Sequence, residues 1–234
     1  AEMAEEYPDV IFLHCSGYLK NDTNFGNYFG KMYQPRYLSG LAAGAMTESN
    51  KIGYVAAFPI PEVIRGINAF ATGVKEVNPD ATVEVVWTFT WFGPEAETQA
   101  ANALLETGVD VLAQHQDSPS TGIAAEAAGA KWISYNTAYG QDAAPGAFVT
   151  APVWDWGPYY VEVVESIVND EFVAEAYWGG METGLVSLYE LTSDVPADTA
   201  SLISQRTDEI TNGSFDPPIV EDEFIDNVIG TVNP

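Results

Sequence analysis

A chain of 234 residues with 34 acidic and 8 basic side chains carries a formal net charge of −26, and 47% of its residues are hydrophobic and 12% aromatic. An acidic coat spread along the whole chain repels phosphate backbones and anionic lipid, which argues against nucleic-acid binding, while the aromatic and β-branched content argues against disorder. No stretch approaches the ~18 consecutive apolar residues of a membrane span, and the single Cys15 permits neither an internal disulfide nor a thiolate metal cage. The acid excess reads as the surface of a halophilic protein, in which concentrated salt screens self-repulsion.

The first residues, AEMAEEYPDV, have no basic segment followed by an apolar one, so any export signal is taken to have been removed. Val10 to His14 reads as a strand, leading into Cys15 as a buried, inert thiol. Tyr28-Phe29 reads as a short strand, and Gln34 to Thr47 as a helix rich in Ala, Gly and Leu. Two strands do not make a stable half-sheet, so their partners must come from upstream or from beyond residue 150.

From residue 50 a strand and helix pattern repeats. Lys51 to Phe58 is an apolar strand, and Glu62 to Val77 places Val63, Ile64, Ile67, Phe70, Val74 and Val77 at helical spacing. Thr82 to Trp87 is a strand, followed by a helix over Glu95 to Thr107 with Gly108 as its cap. Asp110 to Ala113 is the next strand. A helix then opens at Ser118-Pro119 and closes at Gly129, before strand Lys131 to Tyr135. Strands separated by single amphipathic helices predict a parallel, doubly wound sheet. Further on, Asp155 to Asn169 and Pro196 to Asn212 read as helices and Gly184 to Leu191 as a strand.

Ligands of open parallel α/β sheets sit outside the carboxyl ends of the strands. Those ends read Phe58-Pro59, Thr88 to Trp91, Gln114 to Ser118 and Tyr135-Asn136. Phe58 and Trp91 offer aromatic faces, and Gln114, Asp117, Ser118 and Asn136 offer amide, carboxylate and hydroxyl groups, a mixture suited to a flat heterocycle with polar edges. Ser118 has a second reading as a helix cap. Trp154 and Trp156, beside the Gly-Pro break of VWDWGPYY, either face the ligand or join the core, whereas Tyr159 and Tyr160 are expected in the core. Trp178 with Gly179-Gly180-Met181 is a similar candidate, since Gly180 allows close backbone approach.

Catalytic and metal chemistry find no support. His14 and Cys15 are adjacent on a strand and point to opposite faces; His115 and Asp117 lack an accompanying nucleophile; and neither a zinc-type ligand set nor a phosphate-cradling glycine motif is present. No cofactor is expected.

The segments SNKIGYVAAFPIPEVIRGINAF (49–70), GVDVLAQHQDSP (108–119), VWDWGPYYV (153–161) and YWGGM (177–181), with YPDVIFLHCSGY (7–18) and NYFGKMYQPRYLSGLAAGAMT (27–47), carry a resemblance over nearly the whole chain. The chain resembles the BMP (basic membrane protein) family of ABC-transporter solute-binding lipoproteins, relatives of the purine nucleoside receptor lipoproteins. The resemblance implies an α/β, type I periplasmic-binding-protein fold of two doubly wound lobes with parallel sheets, closing on a purine base or nucleoside. It further implies a monomer that is lipid-anchored outside the cell membrane and delivers its solute to an ABC permease. On this reading residues 1–50 are the remainder of a truncated N-terminal lobe, 51–150 the C-terminal lobe and 151–234 crossover segments and C-terminal elements, and the truncated chain binds more weakly than a longer one. Many members of the resembled family carry Asp where this chain has Asn136, which makes a free base such as adenine about as eligible as a nucleoside. The competing readings are the ligand-sensing domain of a regulator and a purine-processing enzyme.

Overall fold

The computed structural model describes residues 1–232. In chain order the elements are α1 (Glu2–Glu6), β1 (Phe12–Cys15), β2 (Phe25–Gly30), α2 (Tyr33–Met46), β3 (Lys51–Ala56), α3 (Pro61–Val77) and β4 (Thr82–Trp87). There follow α4 (Pro94–Glu106), β5 (Val111–His115), α5 (Ser120–Ala128), β6 (Lys131–Ile133), α6 (Gly140–Ala143), β7 (Phe148–Thr150) and β8 (Pro152–Trp154). The chain ends with α7 (Gly157–Val168), β9 (Ala176–Gly179), β10 (Val186–Leu188), α8 (Ala197–Thr211) and β11 (Val228–Ile229). None of the described helices is long and apolar enough to cross a membrane.

Two compact units emerge. The smaller combines Ala1–Lys31 with Asp155–Val186, and the larger combines Met32–Trp154 with the described residues from Ser187 onward. In the smaller unit β1, β2 and β9 form a parallel sheet in that order, so a partner strand does come from beyond residue 150. Cys15 departs from expectation: it is exposed, because β1 is an edge strand whose second half is uncovered.

In the larger unit six strands run β11-β4-β3-β5-β6-β7, and every neighbouring pair is parallel. Successive strand residues point to opposite faces. Gly53 faces Leu104 of α4, whereas the Tyr54 ring lies edge-on to Phe70 of α3. Helices α3 and α4 therefore cover opposite faces, as the doubly wound reading requires. On the α4 side the core gathers Leu104, Leu112, Trp132 and Phe148, with Ala124 and Ala125 of α5 packed among them.

The unit boundary at Met32 lies earlier than the expected one at residue 50, because α2 packs on α3. A Cβ on Gly40 would fall 2.0 Å from the Phe70 carbonyl oxygen, and one on Gly73 2.1 Å from that of Tyr37, so the two helices meet backbone to backbone. Beyond α8 the chain is held by Asn68 of α3, fully buried, whose amide nitrogen donates to the carbonyls of Val220 and Glu223 and whose oxygen accepts from the Ile225 N–H. That clip delivers β11 to the edge of β4. There the Trp87 ring stacks on Phe224, and its indole N–H donates to the Thr231 carbonyl.

Candidate functional site

The order of the central strands decides where a solute can sit. The chain passes from β3 to β4 on one side and then crosses to β5 on the other. Helices leaving a strand pair in opposite directions open a crevice at its carboxyl ends. Phe58, Trp91 and Asp117 all lie on the loops that leave these strands.

Phe58 is half-buried, with the Trp91 ring 5.3 Å away at a tilt of 55° and the Phe89 ring 6.3 Å away edge-on. Trp91 is 41% and Phe89 54% exposed, so both offer open aromatic surface. The Asp117 backbone N–H donates to the Trp91 carbonyl at 3.0 Å, which ties the β5 end to the β4 end. The Asp117 carboxylate has no hydrogen-bond partner among the described residues. Although the residue is exposed, partial desolvation of the carboxyl pushes its pKa above the ordinary carboxylate value. Beside it lies a cavity of about 130 Å³ lined by Gln116, Asp117, Tyr135, Thr137 and Tyr139 among others.

The other predicted polar residues of this unit are occupied in bracing the loops. The buried Gln114 amide donates to the carbonyls of Gln116 and Ser118, both at 2.8 Å, and accepts from the Trp132 indole at 3.0 Å. Ser118 is buried, its hydroxyl 2.5 Å from a carboxylate oxygen of Glu97, whose other oxygen accepts the Gly93 N–H. Helix α5 begins two residues after Ser118, which takes the Ser120 N–H at 3.3 Å in place of the expected cap. Asn136 sits at φ 63°, a left-handed conformation that Asn tolerates well. Its side-chain oxygen accepts the Trp154 indole N–H at 2.8 Å, so these two candidates latch to each other.

Trp156, Trp178 and Gly180 belong to the smaller unit. Trp156 packs edge-on against Tyr28 at 5.3 Å and stacks on Tyr160. Trp178 lies on β9 with 41% of its surface exposed, and Gly180 is buried at the end of that strand. Tyr159 is buried as expected, but Tyr160 is 45% exposed.

Beneath the strand ends lies a buried polar network that the sequence reading did not assemble. Arg36 of α2, 2% exposed, donates through Nη1 to the Tyr54 hydroxyl and, at 3.0 Å, to the Gln114 carbonyl. Its guanidinium lies 4.4 Å from the Tyr135 ring centroid. The Tyr135 hydroxyl shares a 2.8 Å hydrogen bond with His115 Nε2, and Glu62 Oε2 lies 3.3 Å from the same nitrogen. Burial, reinforced by the Arg36 charge, holds the His115 pKa well below its ordinary value, so the ring is neutral. Burial raises Glu62, against the pull of Arg36 and Arg65, and pushes the Tyr54 phenol up to about 12. The His115 ring also touches Trp91, with centroids 5.9 Å apart. One signal was legible in advance: Arg36 is a lone cation inside the apolar run MYQPRYLSGLAAGAM. Among the described residues no His, Cys, Asp and Glu side chains cluster in a way that would hold a metal ion.

Residues 1–214 match the family model described as ABC transporter substrate-binding protein, PnrA-like. Over 214 residues the chain is 45% identical to a Haloferax volcanii protein named as an ABC transporter glucose-binding protein, covering 92% of this chain and 54% of the relative. Over 221 residues it is 36% identical to a purine-binding protein of Brucella abortus, covering 92% of this chain and 61% of that one. The chain thus spans about half to three fifths of the length of these curated relatives. Among solved structures, a transcriptional activator of the comK gene from Bacillus halodurans superposes with a TM-score of 0.82 at 24% identity, over 93% of this chain and 75% of that one. That likeness speaks for the periplasmic-binding type of α/β fold alone. The chain belongs to the PnrA-like family of ABC transporter substrate-binding proteins.

Proposed function

We propose that this chain captures a purine base or nucleoside for an ABC importer. It does so outside the cytoplasmic membrane, as a monomer, lipid-anchored in the whole protein, and hands the solute to the permease. The observation that carries the reading is the meeting of open aromatic surface at Phe58 and Trp91 with the unpaired Asp117 carboxylate. Flat heterocycles stack on such rings, and their ring or amino N–H groups donate to a carboxylate. Glucose is the second reading, favoured by the name of the Haloferax volcanii relative. Against it, a sugar needs several polar groups around its rim, and Gln114, Ser118 and the side-chain oxygen of Asn136 already spend theirs on neighbouring residues.

Calorimetric titration with adenine, adenosine, guanosine and glucose at high salt separates the two. Trp91→Ala should weaken purine binding several-fold, since an aromatic pair contributes about 0.5–1.5 kcal/mol beyond area burial. Asp117→Ala should weaken it more than tenfold, because a hydrogen bond to a charged group contributes about 1.5–3 kcal/mol. The carboxylate accepts most strongly when ionised. As pH falls, affinity should therefore decline through the raised pKa of Asp117, earlier than an unperturbed Asp at about 3.9 would allow. Unchanged affinity in both variants removes the site.

The salt-adapted surface is part of the same proposal. Net charge of −26 repels itself, and the Debye length shrinks from about 10 Å at 0.1 M to 3 Å at 1 M. The melting temperature should climb steeply with KCl across that range, and a flat profile would sink the halophilic reading.

A further inference from the structure

Phe89 has φ 56°. For a bulky L side chain the left-handed region is a steric outlier, and such strain persists only where the surroundings over-determine it. Here they do. The Thr88 and Phe89 N–H groups donate to the carbonyls of Ala56 and Ala57, at 2.8 and 2.9 Å, prolonging the pairing of β4 with β3 beyond the strand ends. The Thr88 hydroxyl accepts the Gln116 amide at 2.6 Å, and the Trp91 carbonyl accepts the Asp117 N–H at 3.0 Å. The turn is clamped from both neighbouring strands.

Among the described residues the ring contact with Phe58 does little to compensate for the choice of Phe. The ring is 54% exposed and meets Phe58 edge-on at 6.3 Å, so it contributes little to the core. Asn or Gly would adopt this backbone at less cost. A strained, exposed aromatic beside two other rings at a strand-end crevice is what a site retains when the ring itself is used.

We propose that Phe89 is a specificity-determining residue of the solute site, its left-handed backbone directing the ring to form an aromatic wall against the flat face of the bound solute. The inference rests on the solute-binding reading above and names a residue which that reading did not use. Stability and affinity should then respond in opposite directions.

The test uses the 234-residue chain, with Phe89→Asn and Phe89→Leu compared by thermal melting and by titration with adenosine and with glucose. Phe89→Asn relieves the strain and removes the ring; Phe89→Leu removes the ring and keeps the strain. Both should weaken binding about threefold to tenfold. The Asn variant should melt at or above the parent and about 2–4 °C above the Leu variant. Unaltered affinity in both variants overturns the proposal, and so does an Asn variant that melts as low as the Leu variant. If the parent chain binds glucose and no purine, the purine reading falls and Phe89 is judged on glucose by the same criteria. If it binds neither, both readings fall.

Discussion

Arg36→Ala should cost the larger unit about 3–5 kcal/mol, the range for breaking a buried, hydrogen-bonded charge away from its partners. The substitution leaves the Tyr54 hydroxyl and the Gln114 carbonyl without their donor, and takes the cation from the face of Tyr135. Lys should not restore the loss in full, since a compact ammonium does not replace the planar, delocalised guanidinium over the Tyr135 ring. Urea unfolding measures the effect directly. A second readout is pH. His115 has a folded pKa below its unfolded value of about 6.5, so its contribution to stability is complete above that pH and is lost as pH falls toward the folded pKa. Burial is the larger cause and the Arg36 charge the second, so Arg36→Ala should shrink this acid-side loss without abolishing it. An Arg36→Ala chain as stable as the parent, with the same pH profile, would show that the network carries no weight.

Gly40→Val should be as damaging, at about 3 kcal/mol or more, toward the upper end of the cost of overpacking a closed core. The new Cβ would fall 2.0 Å from the Phe70 carbonyl oxygen, which is helix backbone and cannot rotate away. Relief requires α2 to lift from α3, which would also withdraw Arg36 from beneath β5. Solute affinity should therefore fall with stability. Gly146→Ala is the control: its Cβ meets only the flexible end of Glu126, at 3.1 Å, so the variant should melt close to the parent. Equal melting temperatures for Gly40→Val and Gly146→Ala would contradict the close helix contact.

Helices α3 and α4 were legible from their own residues because their periodic apolar faces repeat over several turns, and the structure starts each one residue before the expected position. Short strands fared worse. β7, β9 and β11, of three, four and two residues, carry too little pattern to announce themselves. Each exists because a neighbouring strand supplies its hydrogen-bond ladder, which is a nonlocal fact. Cys15 was misjudged for the same reason, since the alternation within β1 does not say that the strand lies at an edge.

The strand ends were found because βα alternation is a local pattern, and the rule that solutes gather at carboxyl ends turns it into a place. Local sequence therefore determined the acid excess, the parallel α/β class and the place of Phe58, Trp91 and Asp117 on the loops that leave β3, β4 and β5. Tertiary structure decided which of the polar groups there remain available. Gln114, Ser118 and Asn136 are chemically apt for a ligand, yet their hydrogen bonds go to Trp132, Glu97 and Trp154, residues far along the chain. It also decided that Arg36, distant in sequence from the ends of β3, β4 and β5, lies beneath them, and that Phe89 takes a left-handed backbone. The physical reason is common to all of these. A side chain's type states what it can bond, but whether that capacity is already spent depends on partners that only the folded chain brings within reach.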